Sequence, residues 1–197
     1  QHDETKIPRL LREMLRELNS RQFILFLEAL TGIDNLFADP YYMGGGIHVS
    51  DRGDFLKIHA DFNWHHKLQA YRRVNALIYL NEVWHEEWAG ATELWNVDMS
   101  ARGVAVYPYF NRMLVFSTSE NSNHGQPQPN ACPPGVQRKV LNLYYYTSSR
   151  DDEEGLTPHF TLYKSSDSTH DRSPVSGGWA TEDSPFATSL GEDYRRS

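Results

Sequence analysis

Seven short runs of β-forming residues occupy the middle of the chain and constrain its fold more than any other feature. They lie near residues 45–50, 54–60, 73–81, 91–96, 103–109, 112–117 and 138–146, and they are rich in the branched and aromatic residues that strands prefer. Turn-forming sequences such as DRGD, WAGA, SARG and NACPPG separate them. Because no helical pattern intervenes, the chain is predicted to be mainly β and to form a sandwich or a barrel.

Two amphipathic helices are predicted before these strands. The first carries an apolar stripe at three- and four-residue spacing, formed by Ile7, Leu10, Leu11, Met14, Leu15 and Leu18. The second begins after Ser20, a preferred N-cap residue, and ends at Gly32. Its apolar residues are Phe23, Phe26, Leu27 and Leu30. We expect both stripes to pack against a sheet.

The length of the chain and its changes in composition indicate how it is organised. At 197 residues it is expected to form a single domain with a substantial core. Residues 1–40 are interpreted as helical support and residues 41–147 as the barrel core. Residues 148–197, rich in Ser, Asp, Thr and Gly, are interpreted as a C-terminal segment that wraps the barrel or forms a lid.

Charge and cysteine content argue against several classes of protein. The net charge of -7 disfavours a protein that binds nucleic acid or an anionic membrane. The single cysteine, Cys132, rules out an intrachain disulfide and a multi-cysteine metal site. No apolar run is long enough to cross a bilayer, and the N-terminal sequence has no signal-peptide core. We therefore expect a cytoplasmic protein with no membrane or nucleic-acid partner.

The sequence LKIHADF places a histidine and an aspartate where they could share one ion. Because side chains two residues apart lie on the same face of a strand, His59 and Asp61 would point the same way. Their apolar neighbours Ile58 and Phe62 suggest burial, and a buried carboxylate requires a cation or another partner. For this motif in isolation, a hydrogen-bonded His–Asp pair without a metal is the favoured interpretation, so a metal site requires a third ligand from elsewhere in the chain.

His124 and Arg138 extend the pattern. His124 follows the apolar strand MLVFSTS, at what would be the rim of a barrel. Two imidazoles and one carboxylate form the facial set that binds non-haem Fe(II) and leaves three coordination positions open. Arg138 shares a strand face with Val140, Asn142 and Tyr144, where it would be a costly buried cation unless an anion such as a carboxylate met it. The opposite face of that strand carries Leu141, Leu143 and Tyr145.

Together these residues resemble those of a known family, the iron(II)- and 2-oxoglutarate-dependent dioxygenases, and within it the prolyl 4-hydroxylase-like branch. The resemblance runs from about residue 45 to residue 146 and covers HADFN, RRVNALIYLNEVW, EEWAGATELW, NHGQP and RKVLNLYYYT. It implies a double-stranded β-helix, or jelly-roll barrel, in which two antiparallel sheets face each other and the N-terminal helices pack on one of them.

The resemblance also implies roles for individual residues. The iron ligands of the family match His59, Asp61 and His124. Arg138 matches the residue that pairs with the distal carboxylate of 2-oxoglutarate. Tyr79, in the motif YLN, matches a tyrosine that often hydrogen-bonds the same carboxylate, and Asn75 matches a polar position lining the cosubstrate pocket.

Two positions bear on the reaction. Many relatives carry Ser two residues after the arginine, where this chain has Val140, so the cosubstrate would rely on Arg138 and Tyr79. Halogenating relatives replace the triad carboxylate with Gly or Ala, whereas this chain keeps Asp61. Hydroxylation is therefore the reaction that the resemblance favours.

Other histidines and one tryptophan are assigned different places. His48, on the strand before HADF, and Trp95, at the end of GATELW, are candidate substrate contacts. His65 and His66 follow the predicted strand in a polar sequence, and we expect them to be solvated or near the substrate entrance. The sequence WHEEW is expected to form an exposed turn rather than a metal site.

The implied reaction is Fe(II)- and 2-oxoglutarate-dependent hydroxylation of an unactivated C–H bond, with O2 as a further substrate and ascorbate as a reductant. The resemblance favours a prolyl residue in a peptide as the group hydroxylated; a free amino acid or another small metabolite is the alternative. A cupin-like, non-oxidative metal-binding protein would share the barrel and its ligands but would not need Arg138 and Tyr79. A catalytically silent interaction domain is a third reading, which the intact ligand set disfavours.

Overall fold

The computed structural model describes residues 7–150 and 157–164. Two helices come first, α1 (Arg9–Leu18) and α2 (Arg21–Thr31). The strands of the described part are β1 (Phe37–Ala38), β2 (Gly46–Ser50), β3 (Leu56–Ala60), β4 (Trp64–His65), β5 (Ala70–Tyr79), β6 (Thr92–Trp95), β7 (Arg102–Val106), β8 (Met113–Ser117), β9 (His124–Gln126), β10 (Arg138–Thr147) and β11 (Leu162–Tyr163). One turn of 3-10 helix, Glu86–Trp88, lies between β5 and β6. The prediction of a mainly β chain with N-terminal helices is confirmed.

The bounds of both helices follow from the residues at their ends. α1 begins directly after Pro8, two residues later than its apolar stripe suggests. The Ser20 hydroxyl accepts a hydrogen bond from the backbone N–H of Phe23 at 3.3 Å, which caps α2. Gly32 ends α2 with a φ of 69°, a left-handed conformation that glycine adopts at low cost.

The strands form two antiparallel sheets. In the larger one, called the major sheet, β10 and β5 lie side by side at the centre; β1 and β2 pair with β10, and β4 and β8 pair with β5. The smaller one, called the minor sheet, has the order β11-β3-β9-β6-β7. His59 of β3 pairs directly with His124 of β9, so the register of the minor sheet brings two candidate metal ligands together.

The two faces of the major sheet bury different sets of residues. Its outer face packs against the helices, and the shared core contains Leu15, Ile24, Leu27, Leu36, Val74, Ala76, Ile78, Leu141, Leu143 and Tyr145. On the inner face, a second cluster joins Leu77, Tyr79 and Val140 to partly buried residues of β7 and β8. The predicted alternation along β10 is therefore confirmed, and Tyr79 and Arg138 lie on the inner face.

Four strands of the structure were not predicted. β1, β4 and β11 have two residues each and β9 has three, too short for an alternating pattern to be recognised. His124 was expected at the rim of the strand that precedes it, but it opens β9 in the opposite sheet. The last strand of the major sheet, β10, has the predicted bounds to within one residue.

Within the predicted C-terminal segment, the structure describes a short stretch beside the minor sheet. Residues 157–164 lie along the edge of the minor sheet, where β11 pairs with β3. The predicted wrap or lid otherwise lies outside the described residues. Within the described ranges, no helix is both long and apolar enough to span a bilayer.

Candidate metal centre

Three side chains converge between the two sheets. One ligand atom from each of His59, Asp61 and His124 lies within 4.8 Å of the others. The two imidazole rings come from paired positions of β3 and β9, with centroids 4.4 Å apart. Asp61 follows β3 directly, and its side chain is 11% exposed. The predicted convergence of these three residues is therefore observed.

Each imidazole is oriented by the strand that carries it. His59 Nδ1 donates to the carbonyl of Lys57 at 2.8 Å, and His124 Nδ1 donates to the carbonyl of Ser122 at 2.8 Å. Because a carbonyl can only accept, Nδ1 is the protonated nitrogen in the neutral form of each ring, and Nε2 is the nitrogen with the lone pair. Both Nε2 atoms face Asp61, at 3.5 Å and 3.2 Å from its oxygens. Such backbone contacts set the tautomer that a metal-binding histidine needs.

The Asp61 carboxylate is held at one of its two oxygens. Oδ2 accepts from Arg72 Nη2 at 2.9 Å and from Asn75 Nδ2 at 2.7 Å. Burial alone would raise the pKa of Asp61, but the positive charge of Arg72 leads the effects that outweigh burial and hold the pKa well below its ordinary value. The carboxylate is therefore ionised and available to a cation.

Arg72 is the residue of this site that the sequence analysis missed. Its side chain is 1% exposed, and its guanidinium carbon lies 3.5 Å from the centroid of the Tyr144 ring and 4.6 Å from that of Phe62. Nε donates to Asn75 Oδ1 at 2.9 Å. Alternation from Asn75 would turn Arg72 toward the helices, but the pairing with β10 shifts register between Tyr145 and Tyr146, which leaves Arg73 without a directly opposite residue. This bulge turns Arg72 to the inner face.

Arg138 lies on the inner face of β10 and is 6% exposed. Nε donates to the Gly90 carbonyl at 2.8 Å, and Nη2 donates to Thr92 Oγ1 at 2.9 Å. The Tyr79 hydroxyl donates to the same Thr92 oxygen at 2.8 Å, and the Tyr79 ring centroid lies 5.5 Å from the guanidinium carbon. Burial lowers the pKa of Arg138. No carboxylate among residues 7–150 and 157–164 forms an ion pair with this arginine.

Gly90 explains why the WAGA turn can approach Arg138 so closely. Its φ is 74°, and a Cβ added there would lie 2.6 Å from Asn130 Oδ1 and 2.8 Å from the Trp84 ring. A larger residue would therefore displace the carbonyl that accepts from Arg138.

Asn75 and His48 both lie near these arginines. Asn75 is engaged by Asp61 and Arg72, beside the metal ligand; its expected part in cosubstrate binding stays a prediction. His48 pairs with Val140 on the inner face. His48 Nε2 donates to the Gly44 carbonyl at 3.1 Å, and Nδ1 accepts from Asn142 Nδ2 at 3.3 Å. Burial, followed by the positive charges of Arg138 and Arg72, lowers the pKa of His48.

Trp95 is not brought to the metal ligands. Leu94 pairs with His124, so alternation turns its two neighbours to the other side of the minor sheet. The Trp95 indole N–H donates to Glu93 Oε2 at 2.9 Å. Both residues line a surface groove of about 400 Å³, with Arg102, Pro127 and Gln128.

The expectation of a solvated His65 is wrong. His65 lies in β4 and pairs with Ala70 of β5. The His65 side chain is fully buried. Nδ1 accepts from the backbone N–H of Leu68 at 3.2 Å, and Nε2 lies 3.4 Å from Asp39 Oδ2. His66 is partly exposed, and the residues at 85–87 of WHEEW are exposed as predicted.

Tyr163 is a second residue near the metal ligands that the sequence analysis missed. It pairs with His59, so both side chains lie on the same face of the minor sheet, and the ring centroids are 5.6 Å apart. Asn63 fastens this segment: Nδ2 donates to the Thr157 carbonyl at 2.9 Å, and Oδ1 accepts from the His159 N–H at 2.8 Å. No sequence pattern marks a two-residue strand fifteen residues beyond β10.

The donor set fits iron(II). Two neutral imidazole nitrogens and one carboxylate are ligands of intermediate and hard character, and a set of this kind on one side of an ion leaves coordination positions open. The free Nε2 atoms and the ionised Asp61 are already directed at a common point. The Arg138 guanidinium, buried without a counter-ion among the described residues, provides a separate anchor for an anion.

A comparison with protein families agrees with this chemistry, and a comparison with solved structures bears on the fold. A family model described as the 2OG-Fe(II) oxygenase superfamily matches residues 45–146. No curated protein sequence matches the chain. Among solved structures, the chain resembles a prolyl 4-hydroxylase from Phytophthora capsici, with a TM-score of 0.54 and 21% identity over 75% of this chain and 46% of that one.

Two further solved structures are similar at lower scores. One is a prolyl-4-hydroxylase from Pseudomonas putida, with a TM-score of 0.45 and 19% identity over 66% of this chain and 64% of that one. The other is a prolyl hydroxylase from Trichoplax adhaerens, solved with a hypoxia inducible factor oxygen degradation domain peptide fragment; its TM-score is 0.44, with 19% identity over 63% of this chain and 52% of that one. The chain thus spans 46% to 64% of the length of these structures.

At 21% identity, the likeness to the Phytophthora capsici structure concerns the fold alone. The family match is more extensive, because its range covers more than half of the chain and includes His59, Asp61 and His124. This chain therefore belongs to the 2OG-Fe(II) oxygenase superfamily.

Proposed function

We propose that this chain is an Fe(II)- and 2-oxoglutarate-dependent dioxygenase that hydroxylates an unactivated C–H bond. The convergence of His59, Asp61 and His124 between the two sheets is the observation that carries the proposal. The buried Arg138 lies on the inner face of the major sheet. A metal site alone would fit many proteins. The added guanidinium without a counter-ion among the described residues supports a site for an anionic cosubstrate.

His59 and His124 would hold the iron through Nε2, and Asp61 would hold it through a carboxylate oxygen. When bound, iron(II) and 2-oxoglutarate supply the oxygen chemistry: one oxygen atom of O2 enters the product, the other enters succinate, and CO2 is released. The backbone acceptors of both imidazoles select the tautomer whose Nε2 carries the lone pair, so the rings need not turn before metal binding. Ascorbate is the proposed reductant.

Arg138 would bind the distal carboxylate of 2-oxoglutarate. Thr92 accepts hydrogen bonds from both Arg138 and Tyr79, which fixes the two donors relative to each other. Val140 contributes no hydroxyl at the position two residues on, so these two residues would hold the carboxylate. Burial raises the pKa of Tyr79 and keeps its phenol protonated as a donor.

The substrate is proposed to be a prolyl residue in a peptide, with a free amino acid or another small metabolite as the alternative. The prolyl-hydroxylase likeness of the sequence supports the first choice. Tyr163, beside His59, and His48, on the inner face of β2, are the proposed substrate contacts. The two antiparallel sheets support the proposal that residues 41–147 form the jelly-roll barrel of a single catalytic domain, with residues 1–40 supporting it.

Succinate formation tests this proposal. The purified chain with Fe(II), 2-oxoglutarate and ascorbate should release succinate in excess of background when a panel of prolyl peptides, free amino acids or small metabolites contains its substrate. His124→Ala should abolish this release, whereas His85→Ala, an exposed histidine outside the site, should leave it unchanged. Full substrate-dependent turnover by the His124→Ala variant would overturn the assignment.

A further inference from the structure

The two oxygens of Asp61 have different surroundings. Oδ2 accepts from Arg72 at 2.9 Å and from Asn75 at 2.7 Å, and it lies 3.2 Å from His124 Nε2. Oδ1 lies 3.5 Å from His59 Nε2 and accepts from no amide or guanidinium group of the described residues. A carboxylate oxygen that already accepts two hydrogen bonds has little remaining capacity for a metal ion. Oδ1 is therefore the oxygen that is free to coordinate.

Aromatic stacking and a hydrogen bond to Asn75 fix the Arg72 side chain, in addition to its salt bridge with Asp61. Its guanidinium stacks on the Tyr144 ring at 3.5 Å and lies 4.6 Å from the Phe62 ring centroid. Its Nε donates to the same Asn75 whose Nδ2 holds Asp61, which closes a ring of three side chains. With the side chain 1% exposed, water cannot replace these contacts.

We propose that Arg72 is a positioning residue that keeps Asp61 a one-oxygen metal ligand. This inference rests on the proposed function. If Asp61 bound through both oxygens, it would occupy two coordination positions instead of one. Together with the two imidazoles, the protein would then fill four positions. Only two positions would then remain on an octahedral ion, and a chelating 2-oxoglutarate would fill both. By holding Oδ2, Arg72 preserves the third open position, which O2 requires.

The arrangement also depends on the shape of the guanidinium. A single planar side chain donates to Asp61 through Nη2, donates to Asn75 through Nε, and stacks on an aromatic ring. A lysine supplies one charged donor and no stacking plane, so it could hold Oδ2 but would not fix Asn75. An uncharged residue such as methionine would leave Oδ2 with one donor and a buried negative charge. A metal ion could then bind Oδ2 in competition with the Asn75 amide.

Counting the water molecules on bound Mn(II) tests this proposal without any turnover. Mn(II) prefers oxygen and imidazole ligands, and its exchangeable waters can be counted by electron–nuclear double resonance in 17O-labelled water. The wild-type protein should hold about three waters, and Arg72→Met should hold about two, because Oδ2 joins the coordination sphere. Arg72→Lys should keep about three.

Arg73→Met is the matched control, because Arg73 is the neighbouring arginine and its Nη1 donates to Thr147 instead of Asp61; it should keep the wild-type count. An equal count in the wild type and in a folded Arg72→Met variant would overturn the inference. If Arg72→Met does not fold, a wild-type count of two, or a lost water in Arg72→Lys, would overturn it. Failure of Mn(II) to bind, or binding unaffected by His124→Ala, would instead contradict the proposed function.

Discussion

His59 and His124 lie directly opposite each other in β3 and β9, with their ring centroids 4.4 Å apart. Each ring donates from Nδ1 to the carbonyl two residues before it in the chain. The pairing of the two strands therefore sets the separation of the imidazoles, and the local backbone of each histidine sets its tautomer. Gly125 permits that pairing, because a Cβ there would lie 2.7 Å from the Lys57 carbonyl oxygen.

Replacement of Arg138 should weaken 2-oxoglutarate binding far more than metal binding. Arg138→Ala removes the buried cation and leaves Thr92 and Tyr79 to meet a carboxylate with neutral groups. Loss of one partner of a buried charge pair costs about 2–5 kcal/mol, so the dissociation constant should rise about 100-fold. Anaerobic titration of the Fe(II) form with 2-oxoglutarate measures it. Arg112→Ala, at an exposed arginine, is the control; an unchanged constant in Arg138→Ala would remove that residue from this role.

Gly90→Ala should destabilise the protein and disturb the Arg138 site together. The new methyl group would overlap Asn130 and Trp84 in a backbone conformation with a φ of 74°. Overpacking costs about 1–3 kcal/mol and the strained backbone adds about 1 kcal/mol. Gly53→Ala is the matched control, because Gly53 has a φ of 92° but nothing within 4 Å of an added Cβ. Urea unfolding should give the larger loss for Gly90→Ala; equal losses would show that the close approach carries no energetic weight.

Stability of the metal-free protein should fall as the pH drops below about 6.5, in part because of His48. Burial lowers the pKa of His48 in the folded state, so the unfolded chain takes up a proton that the folded chain does not. Unfolding then becomes more favourable at lower pH, by at most about 1.4 kcal/mol per pH unit from this one group. His48→Gln should flatten the dependence between pH 7.5 and 5.5, and the exposed His85→Gln should not. If the free energy of unfolding depended on pH identically in His48→Gln and the wild type, His48 would not be a source of the pH dependence.

Asn63→Ala should release residues 157–164 from the minor sheet without unfolding the rest. The substitution removes two side-chain hydrogen bonds, one to Thr157 and one from His159. Each contributes about 1 kcal/mol, so local opening should become on the order of 10- to 100-fold more frequent. Hydrogen exchange measured by mass spectrometry should show faster exchange at the Lys164 amide, which donates to Ile58. Gln128→Ala, at an exposed amide side chain, is the control; uniform acceleration across all strands would indicate global destabilisation instead.

The sequence was sufficient to predict the features that depend on regular alternation. The inward set of β10, with Arg138, Val140, Asn142 and Tyr144, follows from one ten-residue strand with a period of two. The helix α2 followed from its cap at Ser20 and its end at Gly32. The metal ligands required the resemblance as well, because His124 lies 63 residues beyond Asp61 in the chain and no periodicity connects them.

The errors occur where a local irregularity or a distant contact decides the structure. The bulge at Arg73 reverses the alternation and turns Arg72 toward Asp61. His65 is buried because a two-residue strand pairs with Ala70 and not because of any apolar pattern. Tyr163 reaches His59 through a pairing between residues about one hundred positions apart. Such contacts depend on tertiary structure, which a local pattern cannot contain.

The central claim is that His59, Asp61 and His124 bind one iron(II) ion and that Arg138 anchors 2-oxoglutarate beside it. Anaerobic titration of the metal-free protein with Fe(II) and 2-oxoglutarate tests both parts at once, through the visible charge-transfer band of the chelate. We predict saturation at about one iron per chain, loss of the band in His124→Ala, and a much higher 2-oxoglutarate requirement in Arg138→Ala. A wild-type protein that gives no band, or a band of undiminished intensity in His124→Ala, would contradict the account.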